Sequence, residues 1–176
     1  MDKVYDHKMA EGKWYSFWEE KGYFKPKDTE KYFSIILPPP NANGRLHIGH
    51  AMYVIEDILI RYHRMRGEAT LWLPGSDHAG FLTQVVYERE LEKQGKNRHD
   101  LGREEFFKKT YAFTQENKKQ MYEQLRAMGF SLDWAKEKFT LDPDIINVVY
   151  KTFKRLWEDK LIYRGQKLVN YCTRCG

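Results

Sequence analysis

In "HKMAEGKWYSFWEEK" the apolar positions Trp14, Phe17 and Trp18 fall three to four residues apart, which predicts a short amphipathic helix over residues 7–21 with an aromatic face against the body. The polar connector "KPKDTEK" follows. The aromatic and β-branched run "YFSIIL" then has strand length and stops at Pro38, Pro39 and Pro40, which predicts a buried strand. From Ile48 onward, Met52, Ile55, Leu59, Tyr62 and Met65 recur at steps of three and four until Gly67, the pattern of a long helix closed by a glycine cap. "ATLWLPG" reads as a second short strand ended by Pro74 and Gly75. A strand, a helix and a strand of these lengths match a right-handed parallel crossover, so the fold class is α/β, a parallel sheet with flanking helices.

The helical period returns in "VVYERELEKQG" and again from Gly102 to Gly129, predicting two helices that cover the sheet. "FSLDWAKEKFTLDPD" predicts an ordered loop in which Asp142 caps a helix with Pro143 in its first turn, continued by "IINVVYKTFKRLWEDK". "LIYRGQKLVNYC" predicts a strand pair or ribbon. There is no internal repeat. A length of 176 residues fits a single domain over residues 1–176, with residues 1–30 as an N-terminal helical extension.

Hydrophobic residues make up 41% of the chain and charged residues 31%, which suits a folded protein without a membrane segment. The first residues carry charges where an export signal needs an apolar core, so a cytoplasmic location is expected. The net charge of +5 and pI near 9.0 favour approach to polyanions but are spread along the chain, and alone they do not specify a nucleic-acid partner. The two cysteines, Cys172 and Cys175, form a C-x-x-C pair that reads as a thiol or metal pair rather than a disulfide framework; "CTRCG" resembles one half of a four-ligand zinc knuckle, and a flexible thiol tail is the reading favoured over it.

Candidate chemistry concentrates in two loops, "PPPNANGRLHIGH" and "PGSDHAG". Each leaves the carboxyl end of a predicted strand, and a parallel crossover sets both on the same sheet edge, where open α/β sheets bind ligands. His47, His50, Asp77 and His78 are therefore expected to converge. Three prolines fix φ and make a low-entropy wall, while Gly44 and Gly49 allow a ligand close to the backbone. His47 and His50, three apart at a helix start, suit donation to phosphate oxygens, and Asp77 suits a substrate ammonium. His78 is expected to orient its loop. Neither G-x-x-x-x-G-K-[ST] nor G-x-G-x-x-G occurs, so the common phosphate-loop and dinucleotide readings lack their motif.

"PPPNANGRLHIGHA" resembles the signature loop of class I aminoacyl-tRNA synthetases, His47-Ile48-Gly49-His50 matching the HIGH motif letter for letter. "WLPGSDHAGFLTQ" is similar to the valyl branch, usually PGTDHAGIATQ, rather than to the GWDTHG-type isoleucyl or GWDAFG-type leucyl sequences. "LGREEFFKKTYAF", "QLRAMGFSLDWAKEKFTLD" and "LIYRGQKLVNYC" resemble later valyl-branch segments in the same order. Ser76, Phe81-Leu82 and Lys136 depart from the usual Thr, Ile-Ala and Arg.

The resemblance implies a Rossmann-like parallel sheet, the first half of a class I synthetase catalytic domain. Residues 162–176 would begin the connection to an editing insertion absent from this chain, as are the lysine-containing KMSKS loop and the anticodon-binding domain. The implied activity is ATP-dependent activation of valine and its transfer to tRNA, with the rest of the synthetase chain as a partner. By the same resemblance, His47 and His50 are catalytic and bind ATP phosphates, joined by Asn43, Gly44 and Gly49, and magnesium accompanies ATP. Pro39, Pro40, Asn41 and Asp77 bind the amino acid, and Cys172 and Cys175 would hold zinc only with ligands absent from this chain. The rivals are an isoleucyl-type relative and a non-catalytic nucleotide- or RNA-binding module on the same fold.

Overall fold

Strands β1 (Tyr32–Ile36) and β2 (Ala69–Leu73) pair in parallel, from Tyr32 opposite Ala69 to Ile36 opposite Leu73. The structure is a computed structural model that describes residues 4–173. Between the two strands runs helix α2 (Met52–Met65), entered through a 3₁₀ turn at Ile48–Ala51, so the predicted parallel crossover is present. Gly67, at φ +79°, terminates it as the glycine cap expected from the sequence.

The chain groups into two compact units, one ending at Leu141 and one beginning at Asp142. In the first, α1 (His7–Glu20) begins at Asp6, whose carboxylate accepts from the Lys8 and Met9 amides at 3.1 and 3.2 Å. The helix is where the spacing put it, but Trp14 and Phe17 are exposed and Tyr15 is the buried anchor. Its hydroxyl donates to the Phe130 carbonyl at 2.8 Å and accepts from the Trp134 indole at 2.7 Å, and burial pushes its pKa up to about 12.

Two further helices, α3 (Phe81–Lys93) and α4 (Arg98–Ala127), pack on each other. α4 starts earlier than expected because Asn97 and Asp100 form a capping box; Gly102, at φ 72° and ψ 168°, then breaks the helical path. Beyond Gly129 the chain runs along the far side of β2: the Asp133 amide donates to the Trp72 carbonyl at 3.0 Å and the Lys138 amide to that of Pro74 at 3.2 Å. This brings β4 (Lys138–Phe139) parallel to β3 (Gly75–Ser76). A Cβ on Gly75 would stand 3.2 Å from the Lys138 carbonyl oxygen, so the close approach of these strands favours glycine there.

The core joins Leu37, Tyr53, Ile60, Trp72, Leu125, Phe130 and Leu132. Two expectations are corrected. β1 is not a buried strand: Tyr32 and Ile36 are exposed and only Phe33 and Ile35 turn toward the core, because successive side chains point to opposite faces and only one face of β1 is covered. On α2, Met52, Ile55, Leu59, Tyr62 and Met65 are exposed, and the inward face carries Tyr53, Glu56, Asp57 and Ile60. The polar members of that face are paired: Trp72 Nε1 donates to Glu56 at 3.2 Å and the Ser131 hydroxyl to Asp57 at 2.6 Å.

In the second unit, α5 (Pro143–Glu158) has Asp142 at its N-cap position and Pro143 in its first turn, as predicted. Residues 162–173 form no strand, and Leu168, Val169 and Tyr171 are exposed. The expected ribbon is absent because alternation alone does not make a strand without a pairing edge.

Candidate active site

The stiff loop after β1 and the loop after β3 are joined backbone to backbone. The Ala42 amide donates to the Asp77 carbonyl at 2.7 Å, and the Asp77 amide donates to the Pro40 carbonyl at 2.9 Å, making a parallel bridge between Asn41 and Asp77. The sequence argument for one shared sheet edge is met at this point. Tyr53 of α2 fixes the proline wall from below by donating its hydroxyl to the Pro38 carbonyl at 2.7 Å. Pro40 is buried, while Pro38, Pro39 and Asn41 are exposed.

His47 and His50 cap their own helix. The Gly49 amide donates to His47 Nδ1 at 3.1 Å, and the His47 amide donates to His50 Nδ1 at 3.0 Å, a capping box made of two imidazoles. A backbone N–H can only donate, so both Nδ1 atoms accept and the proton of each neutral ring lies on Nε2. The His47 carbonyl, 3.2 Å from His50 Nδ1, is already served by the His50 amide at 2.9 Å. Burial, joined by the neighbouring His47 ring, holds His50 below the ordinary imidazole pKa against an opposing pull from the His47 backbone. The ring centroids lie 4.1 Å apart.

Gly49 acquires a reason inside the protein: a Cβ there would lie 2.8 Å from His47 Cε1. At Gly44 a Cβ would meet nothing within 4 Å. Asn43 is half-buried and its amide donates to the Asn41 carbonyl at 2.8 Å. His47 and His50 line a cavity of about 540 Å³ with Val54, Gln124 and Met128. His78 instead lines one of about 320 Å³ between α3 and α4, with Arg103 and Tyr111 among its walls. The two loops meet at their backbones, and their histidines open onto different cavities.

The Asp77 turn is held under strain. Ala79 sits at φ 52° and Gly80 at φ 42°, with the Ala79 amide donating to Asp77 Oδ1 at 2.9 Å and the Thr83 hydroxyl to the His78 carbonyl at 2.6 Å. Ser76, one of the departures noted in the sequence, is fully buried with its Oγ 2.9 Å from the Tyr122 hydroxyl. That hydroxyl also lies 2.6 Å from Glu137 Oε1; the carboxylate can only accept, so Tyr122 donates to Glu137 and accepts from Ser76. Phe81 and Leu82 are both exposed on the first turn of α3.

Among the described residues no cluster of three or more His, Cys, Asp or Glu is arranged to hold a metal ion; Cys172 is exposed, and Cys175 lies outside the described residues. No helix of the described residues is long and apolar enough to cross a membrane. Thr140 was missed by sequence reasoning and lies against both Asp77 and His78. It lies inside the quoted segment "QLRAMGFSLDWAKEKFTLD", but residue type and spacing assign it no role there, and only the register of β4 on β3 brings it to the site.

A histidine-capped helix start beside a bridged aspartate loop, on a parallel α/β sheet, is accompanied by a match to the family model of tRNA synthetases class I (I, L, M and V) over residues 13–176. The chain belongs to the class I tRNA synthetases. Among individual synthetases, the chain is 50% identical over 179 residues to the valine–tRNA ligase of Dehalococcoides mccartyi (strain CBDB1), covering 100% of this chain and 20% of the relative. It is 47% identical over 180 residues to that of Treponema denticola, again covering 100% and 20%. For the Thermotoga maritima valine–tRNA ligase the figures are 47% over 173 residues, 97% of this chain and 20% of the relative. The chain thus spans about a fifth of the length of the curated synthetases it matches. Among solved structures, the crystal structure of the ternary complex of Agrobacterium radiobacter K84 agnB2 LeuRS-tRNA-LeuAMS matches with a TM-score of 0.74 and 28% identity, covering 91% of this chain and 19% of that one.

Proposed function

We propose that this chain is the N-terminal part of the catalytic domain of a valine–tRNA ligase, which activates valine with ATP and passes it to tRNA. The observation that carries the reading is the identity to valine–tRNA ligases over the whole chain, 50% for the Dehalococcoides mccartyi protein. In the activation step the valine carboxylate attacks the α-phosphorus of ATP, and pyrophosphate leaves. With a carboxyl pKa of about 3.5 the nucleophile is already ionised at neutral pH, so the site's work is alignment and stabilisation of phosphate charge. His47 and His50 suit that task, because the capping box engages each Nδ1 and leaves each an Nε2–H to donate to phosphate oxygens. Asn43, Gly44 and Gly49 accompany them in holding ATP, and magnesium arriving with the nucleotide would offset phosphate charge without needing a dedicated set of protein ligands. Asp77 receives the valine ammonium, beside a wall formed by Pro39, Pro40 and Asn41.

The test is amino-acid-dependent ATP–pyrophosphate exchange by the full-length ligase carrying this chain, with valine, isoleucine and threonine in parallel. Exchange led by valine and abolished by His47→Ala with His50→Ala is the expected result. Exchange led by isoleucine, or none with valine in folded protein, overturns the reading.

A further inference from the structure

The parallel register Gly75 opposite Lys138 and Ser76 opposite Phe139 continues for one more residue, which sets Thr140 beside Asp77 at the carboxyl ends of β3 and β4. The Thr140 amide donates to the Ser76 carbonyl at 3.2 Å and so fixes the backbone there. The Thr140 Oγ1 then has three neighbours: the His78 amide at 2.9 Å, His78 Nδ1 at 2.6 Å and Asp77 Oδ1 at 3.2 Å.

A hydroxyl has one proton and two lone pairs, and three neighbours saturate it. The amide N–H can only donate, so Thr140 accepts from it. The Asp77 carboxylate can only accept, so the Thr140 proton goes to Oδ1. The remaining lone pair must accept from His78, which requires the proton of that ring on Nδ1. The 3.3 Å separation of His78 Nδ1 from Asp77 Oδ1 agrees, because an unprotonated Nδ1 would set its lone pair against the carboxylate. His47 and His50 carry their protons on Nε2; His78 carries its own on Nδ1.

Asp77 Oδ1 is thereby occupied from two sides, by the Thr140 hydroxyl and the Ala79 amide at 2.9 Å, and Oδ2 makes no hydrogen bond among the described residues. We infer that Thr140 is a positioning residue for substrate ammonium recognition: its hydroxyl locks the Asp77 carboxylate and the His78 ring in one orientation and leaves Asp77 Oδ2 for the amino group of the amino-acid substrate. This rests on the reading of Asp77 as the ammonium partner. Thr140 itself need not touch substrate.

The experiment compares Thr140→Val and Thr140→Ser. Val keeps the shape and removes the hydroxyl; Ser keeps the hydroxyl. In the full-length ligase, Thr140→Val is expected to raise the KM for valine about tenfold, the effect of losing one hydrogen bond to a charged group, while kcat and the KM for ATP change less than threefold. Thr140→Ser is expected to restore the valine KM to within about threefold of the parent. An unchanged valine KM in Thr140→Val, an equal defect in both variants, or a matching fall in kcat would overturn the role. Imidazole ¹⁵N spectra of this chain supply a second readout that does not depend on which amino acid is activated. They should show His78 as the Nδ1–H tautomer in the parent and in Thr140→Ser, with that preference lost in Thr140→Val. If valine-dependent exchange were absent while the tautomer result held, the assignment of substrate would fail and the Thr140 network would stand; a parent His78 protonated on Nε2 would overturn the network itself.

Discussion

The hydroxyl of Tyr53 donates to the carbonyl of Pro38 across 2.7 Å, so the helix that follows the stiff loop also holds the loop's first proline in place. Tyr53 is buried, and burial raises its pKa to about 12, so it remains a donor throughout the range in which the protein is studied. Tyr53→Phe leaves the packing and removes the bond. The expected loss of stability is about 1 kcal/mol, read by denaturant unfolding, with a larger relative loss of order in the Pro38–Asn41 backbone by amide exchange. A variant as stable as the parent, with unchanged exchange, would show that the proline wall needs no support from α2.

His50 provides a pH test. Its folded pKa lies below the ordinary value of 6.5, so the unfolded chain takes up a proton more readily than the folded one. Its contribution to stability is therefore complete above pH 6.5 and declines as pH falls through and below that value. Protonation also removes the Nδ1 acceptor from the His47 amide. The ring proton of His50 should titrate with a midpoint below 6.5, and the His47 amide should lose exchange protection over the same interval. A midpoint above 6.5 would sink this account of the imidazole cap.

At Ala79 the backbone is in the left-handed region at φ 52°, where a β-branched side chain is a severe misfit and glycine is at ease. Ala79→Gly should shift stability by less than about 1 kcal/mol in either direction, because relief of strain opposes the greater freedom of the unfolded chain. Ala79→Val should cost more than about 2 kcal/mol and weaken binding at the Asp77 loop. Equal stabilities for the two variants would mean that the turn relaxes out of its strained geometry.

Glu56 sits on the inward face of α2, where burial raises its pKa and the Trp72 indole partly offsets the effect. For an acid whose folded pKa is raised, the charged form opposes folding, so stability falls as pH rises through the carboxylate range. Glu56→Gln retains an acceptor for Trp72 and removes the charge. It should raise Tm by a few degrees at pH 7, with the gain shrinking toward zero in acid. A gain that persists unchanged at low pH would assign the effect to something other than ionisation.

The crossover, the glycine caps at Gly67 and Gly129 and the meeting of the two loops were legible in the sequence because each follows from local rules about strands, turns and chain direction. The inward face of α2 was not. Hydrophobic period shows where apolar residues lie, and on this helix the covered face includes Glu56 and Asp57, whose partners Trp72 and Ser131 come from remote segments. Tyr15 was passed over for Trp14 and Phe17 for a similar reason: its burial depends on the Phe130 carbonyl and the Trp134 indole, more than a hundred residues away. Thr140 has no signature of its own. Its place is set by how β4 registers on β3, and pairing register is a tertiary property.

The paired bonds between Ala42 and Asp77 and between Asp77 and Pro40 make the loop after β1 and the loop after β3 a single cooperative opening unit. Neither can fray alone, since Asp77 contributes both its carbonyl and its amide to the same clasp. Hydrogen exchange at Ala42 and at Asp77 should accordingly proceed through one shared opening, and any molecule that steadies either loop slows exchange in both.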